Sequence, residues 1–304
     1  MALPLDATRL TECLVAQGPY VEVQVVAETG STNQDLLAHA ANLPHLTARL
    51  AEHQSRGRGR LHPGEASPRR WQSPPGRSIL ASVLFRPPAE TPLPKTLAPL
   101  AFAWAVLGAL DLVVPTRLAL KWPNDIVASA APPPGDDAVQ PVRAPLPPPG
   151  DGAFRSGPAP TADAVWPVPA ASRLQKLAGL LAQVAPSGEV VVGIGLNVSQ
   201  TAVELPKGAA SLATLGAPGV DRTWLAGVAL TAAAGAWERW ARGDEKLVDG
   251  IGQRMETLGR EVAVGLADGT VARGRAGRLR LDGALELFSA AGDRQIVTAG
   301  EVEA

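Results

Sequence analysis

Gln175-Lys176-Leu177-Ala178-Gly179-Leu180-Leu181-Ala182-Gln183-Val184 and Val190-Val191-Val192-Gly193-Ile194-Gly195-Leu196-Asn197 are two successive apolar runs. Their length and β-branched content read as adjacent strands. Upstream, Ser78-Ile79-Leu80-Ala81-Ser82-Val83-Leu84-Phe85 is a near-continuous buried strand. Residues 118–122 form another, ending in Pro123-Asn124-Asp125. Residues 94–113 between them are apolar enough for a long core helix. Further upstream, residues 21–26 alternate as a strand and residues 47–52 form a second. Residues 33–41 fit a helix with Ser31 or Thr32 as N-cap, and residues 7–17 a lead-in helix. Residues 222–242 carry apolar side chains at helical spacing, including Trp224, Leu225, Val228, Leu230 and Trp237. Strands interleaved with helices predict an α/β (α+β) fold, a mixed sheet backed by helices.

Two segments depart from this texture. Residues 128–172 are dominated by Pro, Ala, Gly and Asp, and include Pro132-Pro133-Pro134 and Pro147-Pro148-Pro149. Little there can bury enough apolar surface to offset ordering entropy, so the segment is expected to be a disordered surface insertion. After residue 253 come short runs at 260–266, 270–279, 285–288 and 295–299. Turns such as Ala267-Asp268-Gly269 and Leu281-Asp282-Gly283 separate them. That pattern predicts a small β-barrel of about fifty residues. The expected division is therefore 1–253 and 254–304.

The 304 residues are 46% hydrophobic and 19% charged, enough for a sizeable core, with a formal net charge of -1. A protein living on nucleic-acid phosphates is usually basic overall. The one cysteine, Cys13, excludes an intramolecular disulfide and a cysteine-rich zinc site. No signal peptide is evident, and the longest apolar stretch, residues 97–110, is too short to span a bilayer. The expectation is a cytoplasmic protein with no membrane contact. His39, His45, His53 and His62 have no metal-ligand spacing, so no protein cluster for a metal is expected.

Positive charge is local instead. Ser55-Arg56-Gly57-Arg58-Gly59-Arg60, with Arg69-Arg70-Trp71 further on, alternates glycines that let backbone approach a ligand with guanidinium forks for carboxylate or phosphate. Alone, this string also fits RNA binding. Neither a GxxxxGK[ST] nor a GxGxxG phosphate motif occurs. The other segments of interest are Glu28-Thr29-Gly30-Ser31-Thr32-Asn33, Lys121-Trp122-Pro123-Asn124-Asp125-Ile126, Lys176-Leu177-Ala178-Gly179-Leu180-Leu181 and Gly193-Ile194-Gly195-Leu196-Asn197-Val198. On residues alone, Ser31 is equally an N-cap, Asp125 a turn residue, Trp122 core, and Gly179 and Gly195 relief for strand packing.

In this order, these segments resemble the biotin protein ligases. The resemblance runs from Val21 to the C-terminus apart from the Pro-rich insertion. It implies a class II synthetase-like ligase core followed by an SH3-like C-terminal domain, with Gly283-Ala284-Leu285 and Gly300-Glu301-Val302 matching the latter. It implies a two-step reaction in which biotin and ATP give biotinyl-5′-AMP, and a lysine of a biotin carboxyl carrier domain then takes the biotinyl group. By the resemblance, Arg58, Arg60, Lys176 and Lys121 are catalytic. Biotin is met by Ser31, Thr32, Gln54, Gly57, Arg58, Arg60, Lys176, Gly179, Gly193 and Gly195. ATP, with Mg²⁺, is met by Arg60, Arg69, Trp71, Lys121, Asn124, Asp125, Lys176 and Asn197, Trp71 packing on the adenine. The loop is expected to order around its anionic ligand.

Three features depart from the family pattern. Leu61 to Pro68 interrupts the Arg/Gly loop, with Pro68 where a glycine is usual. The Pro-rich insertion separates Asp125 from Lys176. About twenty residues precede Val21, too few for a winged helix-turn-helix, so no DNA-binding domain is expected. Monomer and homodimer both remain open. The rival readings are a lipoate or octanoate ligase or transferase of the same superfamily, and a nucleic-acid-binding protein using the Arg/Gly loop.

Overall fold

The computed structural model describes residues 3–61, 69–90, 93–129 and 174–302. The expected disordered insertion therefore lies outside the described residues except for Ala128 and Ser129, which belong to a strand. Residues 62–68, between the two halves of the Arg/Gly loop, lie outside as well.

In chain order the elements are α1 (Ala7–Thr11), β1 (Glu22–Thr29), α2 (Thr32–Ala38), β2 (Thr47–Gln54), β3 (Ser78–Phe85), α3 (Ala98–Leu110), β4 (Leu118–Lys121), β5 (Asp125–Ser129), β6 (Leu174–Val184), β7 (Val190–Asn197), α4 (Arg222–Ala241) and α5 (Lys246–Gln253). A second group of strands follows: β8 (Glu261–Gly265), β9 (Val271–Leu279), β10 (Leu285–Phe288), β11 (Arg294–Val297) and β12 (Glu301–Val302). The first seven strands form one sheet in the order β1-β2-β3-β7-β6-β5-β4. Its β1–β2 pair is parallel, Glu22 opposite Thr47, and the rest are antiparallel, so the sheet is mixed.

Period-two alternation explains how β7 serves two faces. Val190, Val192, Ile194 and Leu196 join the main core. Val191 packs with Leu36 and Ala40 beneath α2. Gly193, Gly195 and Asn197 line a cavity on that second face. Strand β3 divides in the same way, placing Ser82 beside Gly193 and Leu80 beside Gly195. With both faces covered, every residue of β3 is buried, which is why it reads as an unbroken apolar run.

Helix α3 is buried around nearly its whole circumference and packs against α4, α5 and the sheet. It is shorter than the expected 94–113. Residues 95–97 form a tighter turn, and the helix ends at Asp111. That carboxylate accepts two bonds from Arg254 at 2.7 and 2.9 Å. The lead-in helix ends at Thr11 and widens into a π-turn over Glu12–Ala16. Helix α2 begins at Thr32 and stops at Ala38, short of the expected residue 41. The sequence reading had no counterpart for β5 or α5.

The second sheet is antiparallel, in the order β11-β10-β9-β8-β12. Trp122, 1% exposed, fastens it to the first. Its indole Nε1 donates to the Gly283 carbonyl at 3.0 Å, and its backbone N–H donates to Thr257 Oγ1 at 3.0 Å. Leu120 also exchanges two backbone bonds, each 2.8 Å, with Arg254 and Glu256. The tryptophan of the KWPNDI segment is thus core.

Candidate active site

A cavity of 760 Å³ opens where the N-terminus of α2, the ends of β2, β6 and β7, and the Arg/Gly loop meet. That volume suits a drug-sized ligand or larger. Its wall includes Ser31, Thr32, Gln54, Gly57, Arg58, Arg60, Arg69, Trp71, Asn124, Lys176, Gly179, Gly193, Gly195 and Asn197. The sequence reading marked each of these. Asn33, His53, Glu204 and Glu301, to which it gave no ligand role, also line the cavity. Lys121 and Asp125, expected at the nucleotide end, are not part of the wall.

The floor is neutral and hydrogen-bonded. Ser31 occupies the N-cap position of α2 by backbone geometry but makes no capping bond with its side chain. Gln54 caps the helix in its place. Its Oε1 accepts the Thr32 backbone N–H at 2.7 Å, satisfying an otherwise orphaned helix donor. Thr32 Oγ1 lies 2.7 Å from Ser82 Oγ, and Ser82 Oγ donates to Asn33 Oδ1 at 2.6 Å. Asn33 Nδ2 donates to Leu181 O and Gln183 Oε1, both at 3.1 Å. Gly193 is required here, because any Cβ would collide with Asn33 Oδ1.

The roof is cationic. Gly59 N donates to Arg69 O at 2.7 Å, and Trp71 N donates to Gly57 O at 3.0 Å. The two loop halves therefore pair as an antiparallel ribbon despite the residues inserted between them. Gly57 has no room for a side chain, since a Cβ would sit 2.7 Å from the Trp71 carbonyl oxygen. The ribbon lays the Trp71 indole against Gly195, where a Cβ would again collide. Arg60 donates to the Gly300 carbonyl at 3.1 Å, and Arg69 pairs with Glu301 at 3.6 Å. The last strand of the C-terminal sheet is thereby part of the site. Burial pulls the Arg60 guanidinium down from its ordinary value, opposed by the charges of Glu301 and Asp125.

Lys176 projects beside Gly179, its ammonium 2.7 Å from Asp125 Oδ1. Burial pushes the Asp125 carboxyl up, while Lys176 pulls it down through charge and hydrogen bonding. Asp125 thus orients Lys176 instead of facing the cavity. Asn124 and Asn197 are committed to backbone carbonyls through their side-chain N–H groups, Asn124 to Leu180 at 2.6 Å and Asn197 to Ala210 at 3.0 Å. Among the described residues no group of three or more His, Cys, Asp or Glu is placed to hold a metal. The cavity carboxylates Glu204 and Glu301 are each paired with an arginine, Arg77 and Arg69.

A ligase from Mycobacterium tuberculosis (strain H37Rv), biotin–[acetyl-CoA-carboxylase] ligase, is 32% identical over 318 aligned positions, covering 98% of this chain and 95% of the relative. This chain belongs to the biotin protein ligases. Within that family, a bifunctional ligase/repressor from Bacillus spizizenii is 34% identical over 104 residues, which is 34% of this chain and 29% of the relative. The solved biotin protein ligase of Aquifex aeolicus, in complex with biotin and ATP, has the same fold. Its TM-score is 0.65 at 22% identity, over 93% of this chain and 98% of that one. The family fold accounts for the mixed sheet backed by helices, and the second antiparallel sheet is consistent with its SH3-like domain. No family model matches the chain.

Proposed function

We propose that this chain is a biotin–[biotin carboxyl-carrier protein] ligase that forms biotinyl-5′-AMP and passes biotin to a carrier lysine. The observation that carries the reading is one cavity with a neutral hydrogen-bonding floor and a cationic roof. A bicyclic urea needs paired donors and acceptors when buried. A carboxylate and a triphosphate repel each other and need concentrated positive charge to meet.

In the first step a biotin carboxylate oxygen attacks the α-phosphorus of ATP, the α–β bridging P–O bond breaks, and pyrophosphate leaves. Thr32, Gln54 and Ser31 hold the ureido ring. Arg58, Arg60 and Lys176, which line the same cavity, meet the carboxylate and the α-phosphate, and Arg69 the other phosphates. Trp71, backed by Gly195, offers its exposed surface to the adenine. In the second step the acceptor lysine, as the free amine, attacks the acyl carbon. AMP leaves, and the amine's proton goes to solvent. Asp125 acts on both steps through the Lys176 ammonium that it orients.

Mg²⁺ enters with ATP as part of the substrate. Among the described residues no group of three or more His, Cys, Asp or Glu would cage it, and it would be carried mainly by phosphate oxygens and water, offsetting phosphate charge. Asn124 and Asn197 shape the nucleotide end through the backbone carbonyls that they hold. Residues 1–253 are read as the catalytic domain and 254–304 as a C-terminal domain that contributes Gly300 and Glu301 to the site. No helix among the described residues is long and apolar enough to cross a membrane. The cytoplasm is the proposed compartment.

The test is intact-mass analysis of an apo carrier domain incubated with the protein, Mg-ATP and biotin, lipoate or octanoate. The expected result is a biotinyl mass shift on one carrier lysine and none from the other acids. A lipoyl or octanoyl shift instead would move the chain to the neighbouring activity.

A further inference from the structure

Strand β3 carries Ser82 at its middle, a fully buried hydroxyl that does not itself line the cavity but lies directly behind Thr32 and Asn33, which do. Its neighbours fix the direction of every hydrogen bond around it. Asn33 Nδ2 lies 3.1 Å from the Leu181 backbone carbonyl, which can only accept. The Asn33 amide is therefore oriented with Oδ1 toward Ser82. Oδ1 can only accept, so the single Ser82 proton is spent there, at 2.6 Å. Toward Thr32, 2.7 Å away, Ser82 is left with acceptance only. On the far side, the Thr32 backbone N–H can only donate, so the Gln54 amide is oriented with Oε1 toward it, at 2.7 Å. That same Oε1 lies 3.1 Å from Thr32 Oγ1. Both protein partners of the Thr32 hydroxyl are thus acceptors, and its one proton stays within the protein.

We infer that Ser82 is a positioning residue that sets the hydrogen-bond polarity of the biotin ring site. As the nearer of the two acceptors of the Thr32 proton, with Gln54 Oε1 the more distant, it holds Thr32 as an acceptor there, beside the Gln54 Nε2 donor. An acceptor next to a donor is the complement of a cyclic urea, which presents an N–H next to a C=O. A ring nitrogen without its hydrogen meets a lone pair at Thr32 and is rejected. The inference rests on the biotin-binding reading above, and Ser82 itself touches no substrate.

The experiment is calorimetric titration of the full chain with biotin and with each of the two biotins methylated on a ureido nitrogen, for wild type, Ser82→Ala and Ser82→Cys. In wild type one N-methyl isomer is expected to bind far more weakly than biotin. In Ser82→Ala the Thr32 hydroxyl keeps only the longer bond to Gln54 Oε1 and is free to turn its proton toward the ring, biotin affinity falls about tenfold, and discrimination against that isomer shrinks by a similar factor. Ser82→Cys, nearly isosteric and a weak donor, is expected between the two. It carries the test if the alanine variant does not fold. Equal weakening of all three ligands, or none, would assign Ser82 a packing role and overturn the inference while leaving the ligase reading intact. Failure of wild type to bind biotin would overturn both.

Discussion

The floor of the cavity is built from strand and helix N-terminus, with Thr32, Asn33 and Ser82 at 3%, 5% and 0% exposure. The roof is a ribbon of loop in which Arg58 and Arg69 are exposed to solvent. The Thr32, Asn33 and Ser82 side chains are held by partners that fix both their place and their donor or acceptor sense. The roof arginines reach across to the C-terminal strand, Arg60 to a carbonyl at Gly300 and Arg69 to a carboxylate at Glu301. The floor is preformed for a neutral ring, where a wrong hydrogen bond leaves a buried group unpaired. The roof concentrates positive charge, which in the proposed function serves two anions that must be brought together. In the proposed function, recognition and catalysis fall to parts of the molecule that differ in burial and in how tightly their side chains are fixed.

The comparison breaks most visibly at the point where the two regions meet. Lys176→Ala is expected to lower the adenylation rate roughly 10²- to 10³-fold, the scale of removing one preorganised charged donor. Biotin affinity, read by calorimetry, changes far less. A loss confined to biotin affinity would place Lys176 with the floor. Gly193→Ala attacks the floor alone, driving a methyl group into Asn33 Oδ1. Biotin binding is expected to weaken by about tenfold or more, on the scale of 1–3 kcal/mol for disrupting a buried hydrogen-bond network. The KM for ATP should stay within about twofold of wild type. An ATP defect of equal size would mean that floor and roof are not separable.

Glu301→Gln tests the roof from the C-terminal side. Losing the carboxylate removes an exposed ion pair with Arg69, which is weak. The expected change is a few-fold shift in the KM for ATP with biotin affinity unaltered. A shift in biotin affinity instead would attach the last strand to the floor.

The smallest effect concerns the support under α2. His45 Nδ1 accepts the Arg86 backbone N–H at 3.0 Å, and Arg86 donates to the Ala40, Ala41 and Leu43 carbonyls just beyond the helix. Burial, and then the Arg86 charge, pull the His45 pKa down, with Glu238 opposing. The folded state therefore binds this proton less tightly than the unfolded chain. Its contribution is present above the unfolded value, about 6.5, and is lost as pH falls below it. Wild type should lose more Tm than His45→Gln between pH 7.5 and 5.5. Parallel losses would show that His45 does not titrate in this way.

Legibility in the sequence followed the same division. Strands β3, β7 and β10 were readable to the residue, because burial on both faces or clear turns leaves an unambiguous pattern. The arginines and glycines of the roof were readable because their chemistry is unusual. Strand β5 was not, since Asp125 follows Pro123 and Asn124 and has the composition of a turn. Helix α5, Lys-Leu-Val-Asp-Gly-Ile-Gly-Gln, carries two glycines that depress helix propensity and is held by packing of Leu247, Val248 and Ile251. Asn33 and Ser82 escaped because their role lies in which partner donates, which depends on Leu181 from a distant strand. The available signal was a hydroxyl, Ser82, in the middle of the apolar stretch 79–85. Lys121 lies outside the cavity wall, which the sequence could not tell, because a strand-end lysine looks the same whether or not its strand borders the cavity.

The most direct test of the central claim is biotin-dependent ATP–pyrophosphate exchange by the purified chain, without any carrier protein. Exchange that requires biotin, is absent with lipoate, and collapses in Lys176→Ala is the predicted result. A folded wild-type protein that exchanges no pyrophosphate with biotin, or exchanges it equally well with lipoate, would contradict the account.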